Sequence, residues 1–159
     1  MTKILMVCMG NICRSPMAQT VAQQHTFEAG FPYQLVFDSA GTHVHQAGLP
    51  PDPRAVSSLV TRGYKLPRIR SRKIRVQDFD QFDLILAMDS QNLKDLRQQC
   101  PAAWAHKLHL LTAFVSGQKD AEIPDPYYGN VRGFDHVLDM CEAASKGLIR
   151  HLRTRPGSV

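Results

Sequence analysis

Apolar runs alternate with helix-period stretches along the whole chain, which predicts strand and helix in turn. Lys3-Ile-Leu-Met-Val7 is almost continuously apolar, as a short strand covered on both faces would be. Ser15 then offers an N-cap hydroxyl and Pro16 a first helical position, predicting a helix to about Ala29 that Gly30 stops. Leu35–Asp38 reads as a second strand, and Asp52-Pro53 repeats the cap-then-proline signal for a helix through Thr61 closed by Gly63. Asp83–Met88 is a third strand, after which Asp89 or Ser90 caps a helix that ends before Pro101. Lys107–Thr112 is a fourth. Beyond a loop holding Pro124 and Pro126, a final helix from about Val131 to Leu152 sets Val137, Met140, Cys141, Ala144, Leu148 and Leu152 on one side.

This order implies an α/β fold: right-handed crossovers and a four-stranded parallel sheet flanked by helices in three layers. Residues 1–154 are expected to form one domain, with 155–159 a frayed tail. Ligands of such folds sit beyond the carboxyl ends of the strands. Residues 8–16, Ser39-Ala-Gly-Thr42, Ala87-Met-Asp89 and the Asp125 loop all follow strands, so they are expected to meet at one edge.

The first of these segments carries the chemistry. Residues 8–16 read Cys-Met-Gly-Asn-Ile-Cys-Arg-Ser-Pro between the first strand and the first helix. Such a loop aims backbone N–H groups and the positive end of a helix at one point, where an oxyanion can sit. Cys8 stands at its base as a nucleophile, and a helix N-terminus with a nearby arginine draws a thiol pKa down to about 3.5–7.5. Arg14 presents a planar fork for two phosphate oxygens. Gly10 and Asn11 are the residues best suited to left-handed backbone angles in the loop. Ser15 can cap the helix and donate to the Cys8 sulfur. A nucleophile inside an anion cradle points to phosphoryl transfer through cysteine. A general acid is then needed for the leaving oxygen, and Asp120, Glu122 and Asp125 all stand in the late loop.

The spacing Cys-x5-Arg-Ser at the extreme N-terminus resembles the signature of low-molecular-weight protein tyrosine phosphatases. Ser39-Ala-Gly-Thr42, Asp52-Pro-Arg54, Ala87-Met-Asp89 and Asp125-Pro-Tyr-Tyr128 fall in that family's order, so the resemblance covers nearly the whole chain. It implies hydrolysis of phosphotyrosine and aryl phosphate monoesters through a phosphocysteine, with Cys8 and Arg14 catalytic and Asp125 chosen as the acid. Met9, Gly10, Asn11, Ile12, Cys13 and Ser15 then form the phosphate loop, and Ser39 supports Asn11. Met9, Ile12, Tyr127 and Tyr128 line the substrate cleft, with His45 where relatives often carry an aromatic residue, and Ile69 where they carry a histidine that also supports the asparagine. Cys13 is either an inert neighbour or a partner that captures oxidised Cys8 as a disulfide, and the resemblance favours the second. Same-fold alternatives are an arsenate reductase, which needs two further cysteines in a mobile segment, and a phosphoarginine phosphatase, whose members carry threonine where Ile12 stands. A phosphocysteine carrier or a non-catalytic phosphopeptide module would not need Cys8, Arg14 and Asp125 together.

Composition narrows the partners. With 159 residues and 43% apolar content the chain suits one core, and no window approaches eighteen uninterrupted apolar residues, so no membrane insertion is expected. Thr2 and Lys3 lead directly into a strand without a secretory pattern, and the four cysteines lack zinc spacing, which suits a reducing cytoplasm. The net charge of +5 favours anionic partners, expected to be tyrosine-phosphorylated proteins or small aryl phosphates, with phosphate-like oxyanions as inhibitors. Seven basic residues lie between Arg62 and Arg75 and read first as a solvated face, second as a rim attracting phosphopeptides. No nucleic-acid motif accompanies them. His43-x-His45 has no third ligand at sensible spacing, so neither a metal nor another cofactor is expected.

Overall fold

The computed structural model describes residues 1–31, 34–118 and 120–154; the expected frayed tail, 155–159, lies outside them. Four strands, β1 (Thr2–Cys8), β2 (Leu35–Gly41), β3 (Leu84–Ala87) and β4 (Leu108–Leu110), form a parallel sheet in the order β2-β1-β3-β4. The helices are α1 (Arg14–Glu28), α2 (Pro53–Thr61), α3 (Val76–Gln81), α4 (Ser90–Gln99) and α5 (Val131–Thr154). Two 3-10 turns, Ala102–Lys107 and Leu111–Phe114, flank β4 and shorten the strand expected there.

The period of two along β1 builds both cores. Ile4, Met6 and Cys8 face a cluster with Met17, Val21, Leu59, Phe134, Val137, Ala144 and Leu148, contributed by α1, α2 and α5. Leu5 and Val7 face the other, with Phe79, Ile85, Leu93 and Leu96 from α3, β3 and α4. The expected apolar side of α5 is the buried one, with Met140 only partly covered. Gly147 lies where the Phe114 carbonyl approaches α5: a Cβ there would come within 2.0 Å of that oxygen.

Two local expectations need correction. Helix α1 starts at Arg14 with Cys13 as its cap position, without a side-chain cap bond, so Ser15 and Pro16 lie inside the first turn. Pro16 is tolerated because that turn's N–H groups have no helical partner. The basic run is also not simply a free face. Arg62 pairs with Asp139 and Glu142 of α5, and Arg72 with Asp38 and Asp78.

Candidate active site

Cys8 ends β1, the strand where the sheet's order turns back on itself, so the crevice beyond it lies between β1 and β3. Its sulfur is buried and lies 3.0 Å from Ser15 Oγ, and the Asn11 N–H donates to it at 3.3 Å. Asn11 Nδ2 donates to Ser15 Oγ at 2.8 Å, and the serine hydrogen has the sulfur at 3.0 Å and the Ala40 carbonyl at 3.5 Å within reach. The serine's place inside the first turn, beyond the Cys13 cap position, is what removes it from capping.

Asn11 alone among the described non-glycine residues takes a positive φ, 57°, and it makes the loop's bend. Gly10 does not share that conformation, contrary to expectation, and a Cβ there would meet only Ile12 Cγ1 at 3.9 Å. The support of Asn11 also differs. Its Oδ1 accepts the backbone N–H of Arg72 at 2.9 Å, whereas Ser39 Oγ is buried with no hydrogen-bond partner. Ser39 therefore does not brace Asn11 directly; both ends of that amide are already engaged. Ile69 is buried and apolar.

Arg14 is held from the β3 side. Its Nη1 donates to Asp89 Oδ2 at 2.6 Å and to the Ile123 carbonyl at 3.0 Å, while its Nη2 lies 3.6 Å from Asp125 Oδ2. From sequence, Asp89 has a cap role and a place at this edge, but no partner there. It does cap α4, accepting the Asn92 N–H at 2.7 Å, but the same carboxylate also fixes the arginine. A buried arginine closing an anion loop needs a counter-charge, and that was the signal available in the sequence. Gly41 is a second unread contributor: a Cβ on it would stand 2.6 Å from the Met9 carbonyl and 3.1 Å from the Asn11 nitrogen.

The three candidate acids separate. Ser90 donates to Glu122 from both its N–H and its hydroxyl, which holds the Glu122 carboxyl below the usual carboxylate range. A group kept ionised is a poor proton donor. Asp120 lies beside the Ser116–Gln118 turn. Asp125 stands at the mouth of the loop, with its Oδ1 accepting the Tyr127 N–H at 3.1 Å.

Tyr127 and Tyr128 pack edge-on, ring centroids 4.9 Å apart, and both are exposed, as are Met9 and His45. Ile12 is partly buried, and its carbonyl accepts the Asp52 N–H at 2.7 Å. Cys13 is buried, and that burial, reinforced by Asp52 and then Cys8, pushes its thiol up to about 12. All four cysteines are unbridged.

Known proteins resemble the chain along most of its length. The family model for low molecular weight phosphotyrosine protein phosphatase matches residues 3–156. A low molecular weight protein-tyrosine-phosphatase of Streptomyces coelicolor is 39% identical over 155 residues, covering 95% of this chain and 93% of the relative. A human low molecular weight phosphotyrosine protein phosphatase is 38% identical over 144 residues, covering 87% of each. A crystal structure of a protein tyrosine phosphatase from Entamoeba histolytica, with Hepes in its active site, superposes with a TM-score of 0.92. It has 37% identity and covers 96% of this chain and 97% of that one. The chain belongs to the low molecular weight phosphotyrosine protein phosphatase family.

Proposed function

We propose that the chain hydrolyses aryl phosphate monoesters, phosphotyrosine in proteins above all, through a phosphocysteine on Cys8. The observation that carries this reading is the arrangement around Arg14. Its Nη1 is clamped by Asp89 and Ile123, and its Nη2 faces Asp125 across the mouth of a loop whose Asn11 N–H points at the Cys8 sulfur. In the first step the sulfur attacks phosphorus and the ester bond breaks, while Asp125 gives its proton to the departing phenol oxygen. Arg14 and the loop N–H groups hold the phosphoryl oxygens as charge shifts among them. In the second step Asp125, now a carboxylate, takes a proton from water as it attacks phosphorus, releasing inorganic phosphate and the Cys8 thiolate. The Ser15 hydroxyl at 3.0 Å eases the departure of that sulfur.

Met9, Ile12, Tyr127 and Tyr128 give the substrate ring an apolar wall, with His45 adding a polar edge. Phosphate-like oxyanions compete for the cradle. Cys13 acts after a peroxide has oxidised the Cys8 thiolate to a sulfenic acid and been reduced itself: the sulfenic acid condenses with the Cys13 thiol, water leaves, and a thiol reductant restores both. Such a thiol cycle suits the cytoplasm.

The test is phosphoenzyme trapping. Acid-quenched wild type turning over labelled p-nitrophenyl phosphate is expected to retain label on Cys8. Cys8→Ser is expected to lose turnover while still binding inorganic phosphate. Phosphate release by Cys8→Ser at the wild-type rate would refute the assignment.

A further inference from the structure

Apart from Pro126, residues 124–130 are exposed, yet the proposed acid lies within them and needs a defined position. The sequence Asp52-Pro-Arg54 at the start of α2 supplies a fixed surface. Asp52 caps the helix by accepting the Arg54 N–H at 2.8 Å, and its two oxygens also accept Arg54 Nε at 3.0 Å and Nη2 at 2.9 Å. A bidentate pair fixes the plane of the guanidinium as well as its place. The fully buried Phe134 ring of α5 lies against the same group, its centroid 4.7 Å from Cζ. The cation is thus anchored by the Asp52 cap of α2 and by Phe134 of α5. Tyr127 rests on it, with its ring centroid 5.5 Å from Cζ, within cation–π reach. The Tyr127 N–H in turn donates to Asp125 Oδ1, and at the other end the Asp52 N–H donates to the Ile12 carbonyl.

Resting on the functional reading above, we infer that Arg54 is a positioning residue: through Tyr127 it holds the Asp125 segment in register with the phosphate loop. It touches neither phosphate nor leaving group. Its loss should leave oxyanion binding intact and weaken the two proton transfers of Asp125, the first of them in proportion to the leaving group's need for a proton. Modest misplacement of a reacting group costs up to about a hundredfold in rate.

Arg54→Gln keeps a donor for Asp52 without the cation, and Arg54→Lys keeps charge without the fork. For Arg54→Gln, kcat/KM, which reports the ester-cleaving step, is expected to fall by about tenfold or more on an unactivated aryl phosphate, with a much smaller loss on p-nitrophenyl phosphate. The inhibition constant for inorganic phosphate should change less than about twofold, because the cradle is untouched. Arg54→Lys should fall between wild type and Arg54→Gln. In a Tyr127→Leu background, Arg54→Gln should add little, since the two act in series. Backbone 15N relaxation should show residues 125–129 gaining mobility in Arg54→Gln. Equal losses on both esters, additive losses in the double variant, or unchanged mobility of 125–129 would each overturn the inference. A wild type that hydrolyses neither ester overturns the functional reading instead, and the relaxation data then decide whether Arg54 holds the segment.

Discussion

Arg14 Nη1 and Asp89 Oδ2 lie 2.6 Å apart across the crevice between β1 and β3, and the same Asp89 carboxylate caps α4 through the Asn92 N–H. The helix cap and the arginine clamp are thus one group. Arg14 is almost wholly buried, so it cannot choose another counter-ion from solvent. Its guanidinium plane is set before any phosphate arrives.

Asp89→Asn separates the two duties. Asparagine caps helices as well as aspartate does, so the melting temperature should change little. The charge-assisted bond to Arg14 is lost, and kcat/KM should fall by about tenfold to a hundredfold, the equivalent of about 1.5–3 kcal/mol for a bond to a charged group. Asp89→Ala should lose the cap as well, about a further 1 kcal/mol of stability. Steady-state kinetics beside thermal melts would show it. An Asp89→Asn enzyme with wild-type kinetics would mean that Ile123 alone suffices.

Asp125 should matter in proportion to the leaving group's need for a proton. In kcat/KM, which reports ester cleavage, Asp125→Asn is expected to slow an unactivated aryl phosphate by about 10²–10⁴-fold and p-nitrophenyl phosphate by less. Glu122→Gln should leave that selectivity unchanged, because Glu122 is committed to Ser90. If the two variants exchange behaviours, the acid is Glu122.

What the sequence made legible follows from how local each signal was. The succession of strands and helices along the chain, the buried side of α5 and the sequence of the anion loop were readable because period and cap chemistry act over neighbouring residues. The long-range contacts were not. Asn11 is braced by the backbone of Arg72, and no side-chain identity announces a main-chain N–H. Gly41 is set by a close approach of the Met9 carbonyl, visible only once β2 lies beside the loop. Ser15 misled because serine before proline serves a cap and an inward hydroxyl equally well. Helix α3 was missed because its six residues carry too few apolar positions for a period to register.

Asp52 ties stability to pH. Its carboxyl is held below the usual carboxylate range, chiefly by the Arg54 side-chain hydrogen bonds. A group depressed in the folded state contributes stability that is fully present above its unfolded value, about 3.9 for aspartate, and is lost as pH falls through the lower folded value. Unfolding free energy should therefore decline as pH falls below about 4. Asp52→Asn, which keeps the cap, should flatten part of that slope while matching wild type least well near neutral pH. Urea titrations at several pH values between about 2 and 7 would show this; parallel curves would mean that the pair contributes nothing.

Two glycines allow overpacking to be told apart from damage to the site. A Cβ at Gly41 would meet the Met9 carbonyl at 2.6 Å, Val44 Cγ2 at 2.7 Å and the Asn11 nitrogen at 3.1 Å. A Cβ at Gly147 would meet the Phe114 carbonyl at 2.0 Å, in the second half of α5, where no candidate site residue takes part. Both alanine variants should lose stability, by about 1–3 kcal/mol where the backbone can shift and more where it cannot. Only Gly41→Ala pushes on the loop that holds the Cys8 sulfur and the Asn11 N–H. Vanadate or inorganic phosphate should therefore bind Gly41→Ala at least about tenfold more weakly, a loss of about 1.4 kcal/mol. The folded fraction of Gly147→Ala should bind it as the wild type does. Calorimetric melts fix the stability side, and titration with phosphate well below each melting temperature fixes the binding side. Equal binding by both variants would show that the loop tolerates displacement at Met9, and that its anion affinity resides in Arg14 rather than in the backbone donors.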